Sequence, residues 1–241
     1  MGRILVENLS KTLDGLHTLD GVSMTVARNE LVVVLGPSGC GKSTLLHIMA
    51  GLITPDRGRI FINDVDSTGR TGLVGYMQQK DLLLPSCSVL DNICLPLLLQ
   101  GKSKQAARAE AARYTADYGL GGFESYYPRQ LSGGMRQRAA LLRTYLFSRE
   151  ILLLDEPFAS LDAITRRKMQ IWLKELHKQF GSSILFVTHD IEEALLLADR
   201  IYVFTARPAR IRLEISIAGQ NRPESEIKEE ILAILEEEAS D

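Results

Sequence analysis

Residues 36 to 44 read Gly36-Pro37-Ser38-Gly39-Cys40-Gly41-Lys42-Ser43-Thr44, the G-x-x-x-x-G-K-[ST] spacing of a phosphate-binding loop. No other stretch constrains the fold as tightly, because such a loop works only between a buried strand and the first turn of a helix. Small residues let backbone N–H groups turn inward around an anion. A helix beginning near Lys42 points the positive end of its dipole at that anion. Both flanks comply. Glu30-Leu31-Val32-Val33-Val34-Leu35 is a short β-branched run fit for a buried strand, and Leu45, Leu46, Ile48 and Met49 follow at helical spacing. The loop is therefore a candidate site for a nucleoside triphosphate, with Lys42 reaching the outer phosphates and the Ser43 hydroxyl ligating Mg²⁺.

The rest of the chain alternates. Strands are expected at Ile4–Val6, Val22–Val26, Arg59–Ile62 and Gly72–Met77, and again at Ile151–Leu154, Ser183–Val187 and Arg200–Phe204. From about 88 to 148 the chain is rich in Ala, Leu, Arg and Gln, which predicts mostly helix. Met169, Trp172, Leu173, Leu176 and Phe180 form the apolar stripe of an amphipathic helix. Alternating strands and helices predict a mainly parallel α/β core with the helical stretch inserted. From Glu224 the tail holds eight acidic residues against Lys228, while Ile227, Ile231, Ile234 and Leu235 keep one apolar stripe. A short docked helix with a solvated acidic face is expected there.

Bulk properties narrow the partners. The net charge of -2 gives no basic field for nucleic acid. No apolar run reaches the ~18–20 residues of a membrane span. The N-terminus reads as neither a signal peptide nor a myristoylation site, since Val6 stands where Ser or Thr is required. The expected place is the cytosol or the cytosolic side of a membrane. Cys40, Cys87 and Cys94 have no metal-ligand spacing and read as reduced thiols, and four scattered histidines suggest no zinc site.

Two further segments carry chemistry. Ile151-Leu152-Leu153-Leu154-Asp155-Glu156-Pro157 is an apolar strand ending in two carboxylates. Asp155 suits Mg²⁺, directly or through water. Glu156 is expected to point the other way, because strand side chains alternate, and there to polarise a water for attack on the γ-phosphate. In Leu131-Ser132-Gly133-Gly134-Met135-Arg136-Gln137-Arg138, a serine and two glycines precede a predicted helix, a second start suited to an anion. One nucleotide does not need two such sites in one chain. A symmetric head-to-tail dimer, in which each chain's second site covers the other's nucleotide, resolves this.

With this segment the chain resembles the ATP-binding subunits of ABC transporters, whose signature sequence LSGGMRQR matches throughout; the resemblance spans about residues 3 to 215. It implies a single ABC ATP-binding domain: a RecA-like P-loop α/β core with an antiparallel β subdomain (1–86 and 149–215), an inserted α-helical subdomain (87–148) and a short helical tail (216–241). It implies ATP and Mg²⁺ bound between two subunits, with Ser132 and Gly134 at the γ-phosphate of the partner's site and Gly133 between them also in the cofactor-binding set. Gln79, before Lys80-Asp81-Leu82-Leu83-Leu84-Pro85, matches the glutamine loop, which touches Mg²⁺ and the attacking water. Asp162, in Ser160-Leu161-Asp162, matches the D-loop, and His189, in Val187-Thr188-His189-Asp190, the switch histidine. One position departs: Leu13 stands where the family carries an aromatic residue that stacks on adenine.

Leu83-Leu84-Pro85, Val89-Leu90-Asp91-Asn92-Ile93 and Phe204-Thr205-Ala206-Arg207-Pro208-Ala209-Arg210-Ile211 resemble the nitrate, sulfonate, taurine and bicarbonate import group and the related thiamine-precursor systems. Ser86 replaces that group's usual tryptophan. The resemblance implies an ATPase peripheral to the cytoplasmic face of the cell membrane. Its partners are transmembrane permease subunits, a second ATP-binding subunit and, indirectly, a substrate-binding protein. An exporter ATPase and a non-transport ABC ATPase stay open as alternatives.

Overall fold

Two strand-forming runs at the start of the chain pair with each other. Strand β1 (Ile4–Leu13) and strand β2 (Leu16–Val26) form an antiparallel hairpin closed by Asp14 and Gly15, both at positive φ. Asp-Gly is the sequence that accepts this turn, which matches the twist of the strands. Both strands run further than their apolar segments predict. Leu9 and Leu19 continue the buried face, and shifts in register carry the pairing past the polar residues between. Strand β4 (Arg57–Ile62) adds to β1 and β5 (Val65–Asp66) to β4, giving the expected antiparallel sheet in the order β2-β1-β4-β5. The computed structural model describes residues 4–217 and 222–240; residues 1–3, 218–221 and 241, the last being Asp241 of the acidic tail, lie outside the described residues.

Strand β3 (Leu31–Leu35) is buried at all five positions. An unbroken apolar run of this kind suits a parallel strand covered on both faces. It pairs in parallel with β8 (Ser183–Thr188) and β9 (Arg200–Phe204). Strand β10 (Ile211–Ser216) adds antiparallel to β9 and carries Arg212, Glu214 and Ser216 outward. Helix α1 (Lys42–Met49) follows the phosphate loop, helix α6 (Ile191–Leu197) follows β8, and helix α7 (Glu224–Ser240) holds Ile227 and Ile231 buried.

By its internal contacts the chain divides into two compact units: Met1–Leu73 with Gln170–Asp241, and Val74–Met169. The division falls inside helix α5 (Ala163–Phe180), whose Met169, Leu173 and Leu176 are buried. In the second unit β6 (Gly75–Met77) pairs in parallel with β7 (Ile151–Asp155). The strand expected from Gly72 starts at Gly75. The rest is helical as expected: α2 (Val89–Leu99), α3 (Lys104–Thr115), a 3₁₀ turn at Pro128–Gln130 and α4 (Gly133–Phe147). Ser88, Ser103 and Ser132 each cap a helix by accepting from the amide three residues on, which satisfies one of the orphan donors of the first turn. No helix among the described residues is long and apolar enough to cross a membrane.

Candidate nucleotide site

The first unit presents the phosphate loop between β3 and α1. Three of its glycines are there for space or for backbone shape. A Cβ on Gly36 would lie 3.0 Å from the Phe204 Cβ. Gly39 and Gly41 have φ of +76° and +130°, and a Cβ on Gly41 would press on Leu19 and Thr18 at 3.0 and 3.1 Å. Lys42 is 4% exposed. Its Nζ donates to the carbonyls of Gly36 (2.7 Å) and Pro37 (2.9 Å), using two of three ammonium donors to hold the start of the loop. Cys40 is buried, and burial pushes its thiol up. The Ser43 side chain is exposed in the first turn of α1. Arg207, which no sequence pattern marked as a site residue, donates to the Gly39 carbonyl.

His189 follows β8 and is exposed. The residues on either side of it are fixed. Thr188 Oγ1 donates to Glu193 Oε2 (2.6 Å) and accepts from the Asp190 amide (3.1 Å). Asp190 caps α6 by accepting from the Glu193 amide (3.2 Å), and Gln170 donates to Glu193 Oε1 (3.1 Å). Leu13 ends β1 opposite Leu16 in the hairpin.

The second unit carries the carboxylates. Asp155 ends β7 and is 6% exposed. The Tyr76 hydroxyl donates to its Oδ2 at 3.3 Å, and burial together with that carboxylate pushes the phenol up, keeping it a neutral donor. Glu156 differs from the sequence expectation. The strand ends one residue earlier, and Glu156 has a φ of +43°. A backbone conformation that is rare for a residue with a side chain, rather than strand alternation, sets its direction.

Gln79 follows β6 and is exposed. The loop after it is fastened to α4. Arg143 donates to the carbonyls of Asp81 (2.7 Å) and Leu82 (2.9 Å), and Arg136 donates to Asp81 Oδ2 (3.2 Å). A cleft of about 530 Å³ is lined by Gln79, Lys80, Asp81, Gln137, Ala159 and Ser160, so the loop after β6, helix α4 and the turn after β7 meet around it within this unit. Gly133 and Gly134 lie inside the first turn of α4 rather than before it. Cβ atoms there would meet Leu161 at 3.1 Å and Thr165 at 3.0 Å. Asp162 Oδ1 accepts from the Thr165 amide (3.0 Å), and Thr165 holds its carboxyl below the usual range.

Residues 19–159 match the ABC transporter family. The chain belongs to that family. Over 213 residues it is 46% identical to a formylaminopyrimidine import ATP-binding protein of Halalkalibacterium halodurans, covering 88% of this chain and 83% of that protein. It is 41% identical over 222 residues to a taurine import ATP-binding protein of Yersinia pestis, covering 92% and 87%. Among solved structures, a dimeric bacterial ABC transporter cassette superposes with a TM-score of 0.78 at 29% identity, over 90% of this chain and 100% of that one. The cassette is thus an α/β ATP-binding subunit with ATPase activity.

Proposed function

We propose that this chain powers the import of a small solute through separate permease subunits at the cytoplasmic face of the membrane, as one of two cassettes that close around two ATP molecules. A substrate-binding protein delivers the solute. The observation that carries this reading is that the chain holds one set of the family's parts: one phosphate loop and one signature helix start. A second copy supplies the missing half of each site.

The roles follow residue by residue. Gly36 to Thr44 cradle the phosphates, with Lys42 on the outer ones. Ser132, Gly133, Gly134 and Asp162 serve the nucleotide of the partner cassette. Glu156 polarises the water that attacks the γ-phosphorus as the bond to the bridging oxygen breaks. Gln79 orients that water, and His189 contacts the γ-phosphate. Ser43, Asp155 and Gln79 would hold Mg²⁺, which neutralises phosphate charge. The donors fit a hard ion that takes one or two carboxylates and keeps phosphates and water as its remaining ligands: Asp155 is buried at a strand end, and no cluster of three metal-ligating side chains occurs among the described residues. ATP closes the pair and hydrolysis reopens it, and the helical segment of residues 87–148 transmits the movement to the permease.

The relatives named as import proteins favour import over export. Capture of the tagged protein from its host's membranes in mild detergent, with mass spectrometry, tests this. Recovery of a multi-span permease encoded beside a binding protein supports import. Recovery of soluble partners alone overturns it and leaves the ATPase assignment standing.

A further inference from the structure

The exposed tip of the phosphate loop, Ser38 and Gly39, has no side-chain packing of its own to keep its shape. The peptide plane between Gly39 and Cys40 is nonetheless pinned at both ends. Its N–H donates to the Pro37 carbonyl (3.3 Å), and its carbonyl accepts from the Arg207 guanidinium. Fixing this plane fixes the directions of the amides beside it, and an anion nest depends on those directions.

Arg207 is itself held. The turn from Thr205 to Arg210 is closed by Thr205 N to Arg210 O (3.0 Å) and by Arg210 N to Thr205 Oγ1 (2.9 Å). It is stitched to β2 by Ala209 N to Thr18 O (2.9 Å), Asp20 N to Ala209 O (3.0 Å) and the Arg210–Asp20 ion pair. Behind Arg207, the Ala206 amide donates to a carboxylate oxygen of Glu238 in α7 at 2.7 Å. Helix α7 is docked through buried Ile227 and Ile231 and through the Lys228–Glu192 ion pair to α6. A continuous chain of contacts inside one unit thus runs from the C-terminal helix to the loop.

We infer that Arg207 is a positioning residue for the phosphate loop, and that the C-terminal helix braces it through Glu238. The inference rests on the nucleotide-binding reading of the loop and not on the direction of transport. Arg207 acts on the shape of the cradle, so its loss weakens nucleotide binding and leaves chemistry in the bound state alone.

The test is steady-state ATP hydrolysis by the full chain. Arg207→Ala raises the KM for ATP about tenfold, as loss of one charge-assisted hydrogen bond implies, with kcat changed less than about twofold. Arg207→Lys, which keeps a donor, recovers part of the affinity. Glu238→Ala raises KM about threefold, and the double variant is no worse than Arg207→Ala, because the two residues act in series. Glu238→Gln keeps an acceptor and stays near wild type. An unchanged KM in Arg207→Ala, or a loss confined to kcat, overturns the inference; additive effects in the double variant overturn the bracing by α7. Binding of a fluorescent ATP analogue to Arg207→Gln gives the same reading if the alanine variant fails to fold. Lys42→Ala separates the two levels. Surviving hydrolysis there refutes the nucleotide reading itself, whereas its loss alongside a normal KM in Arg207→Ala refutes only the inference.

Discussion

Replacing Thr188 by valine tests how the position of His189 is maintained. Thr188 is 2% exposed, and valine has nearly its shape, so the cavity term is close to zero. What changes is polar. The hydroxyl donates to the Glu193 carboxylate at 2.6 Å and accepts from the Asp190 amide at 3.1 Å. Glu193 is 5% exposed, so water replaces the lost donor poorly. A hydrogen bond to a charged group contributes about 1.5–3 kcal/mol, and the half-exposed Asp190 amide regains most of its loss from water. The expected cost is about 2–3 kcal/mol. For a chain of this size that lowers the melting temperature by about 4–12 °C. Urea denaturation reads the first quantity and a thermal scan the second. ATP turnover falls as well, since His189 lies between the two residues released. Thr188→Ser keeps the hydroxyl and retains most of both. A loss below about 0.5 kcal/mol in Thr188→Val would refute the reasoning, because it would mean that the buried Glu193 network holds nothing in place.

Three further outcomes follow from the site. Leu13→Tyr puts a ring where the family resemblance places adenine stacking and should tighten ATP over GTP in a binding titration; equal affinities for both nucleotides before and after the change would rule this out. Gly41→Ala puts a Cβ at a φ of +130° and 3.0 Å from Leu19, so stability drops by about 1–3 kcal/mol in urea denaturation and ATP binding is lost; undiminished ATP affinity contradicts the loop geometry. For the cysteines, burial pushes the Cys40 thiol up and raises Cys94 to about 11. Both stay protonated and slow to alkylate at neutral pH, and react faster as pH rises. Peptide mapping after brief iodoacetamide treatment at neutral pH should find half-buried Cys87 labelled first, and Cys40 labelled first is the opposing result.

The parts of the molecule visible in the sequence are those where chemistry and folding make the same demand. The phosphate loop needs a buried strand before it and a helix after it, so β3 and α1 could be placed from Gly36 to Thr44 alone. The helices between 88 and 148 showed in their composition. Strand β10 did not, because its alternation of Ile211, Leu213 and Ile215 with exposed Arg212, Glu214 and Ser216 is passed over when strands are sought as continuous apolar runs. Strand β5 is two exposed residues. Glu156 shows where pattern reasoning ran out. Alternation holds only while the strand continues, and the strand stops at Asp155. The other candidate site residues were named through resemblance rather than physics. Nothing local in Gln79, Asp162 or His189 announces a role. Arg207 entered only as part of a resembling segment, without a role, since a hydrogen bond between residues 168 positions apart leaves no period in the sequence.

The proposed function has two of these cassettes close around ATP, with Glu156 driving its hydrolysis. Glu156→Gln, analysed by size-exclusion chromatography with light scattering and by phosphate release, tests both halves together. The expected result is a dimer that forms with ATP and dissociates without it, with turnover reduced at least about a hundredfold, as loss of a general base implies. Hydrolysis at the wild-type rate, or a protein that stays monomeric in saturating ATP, would contradict it.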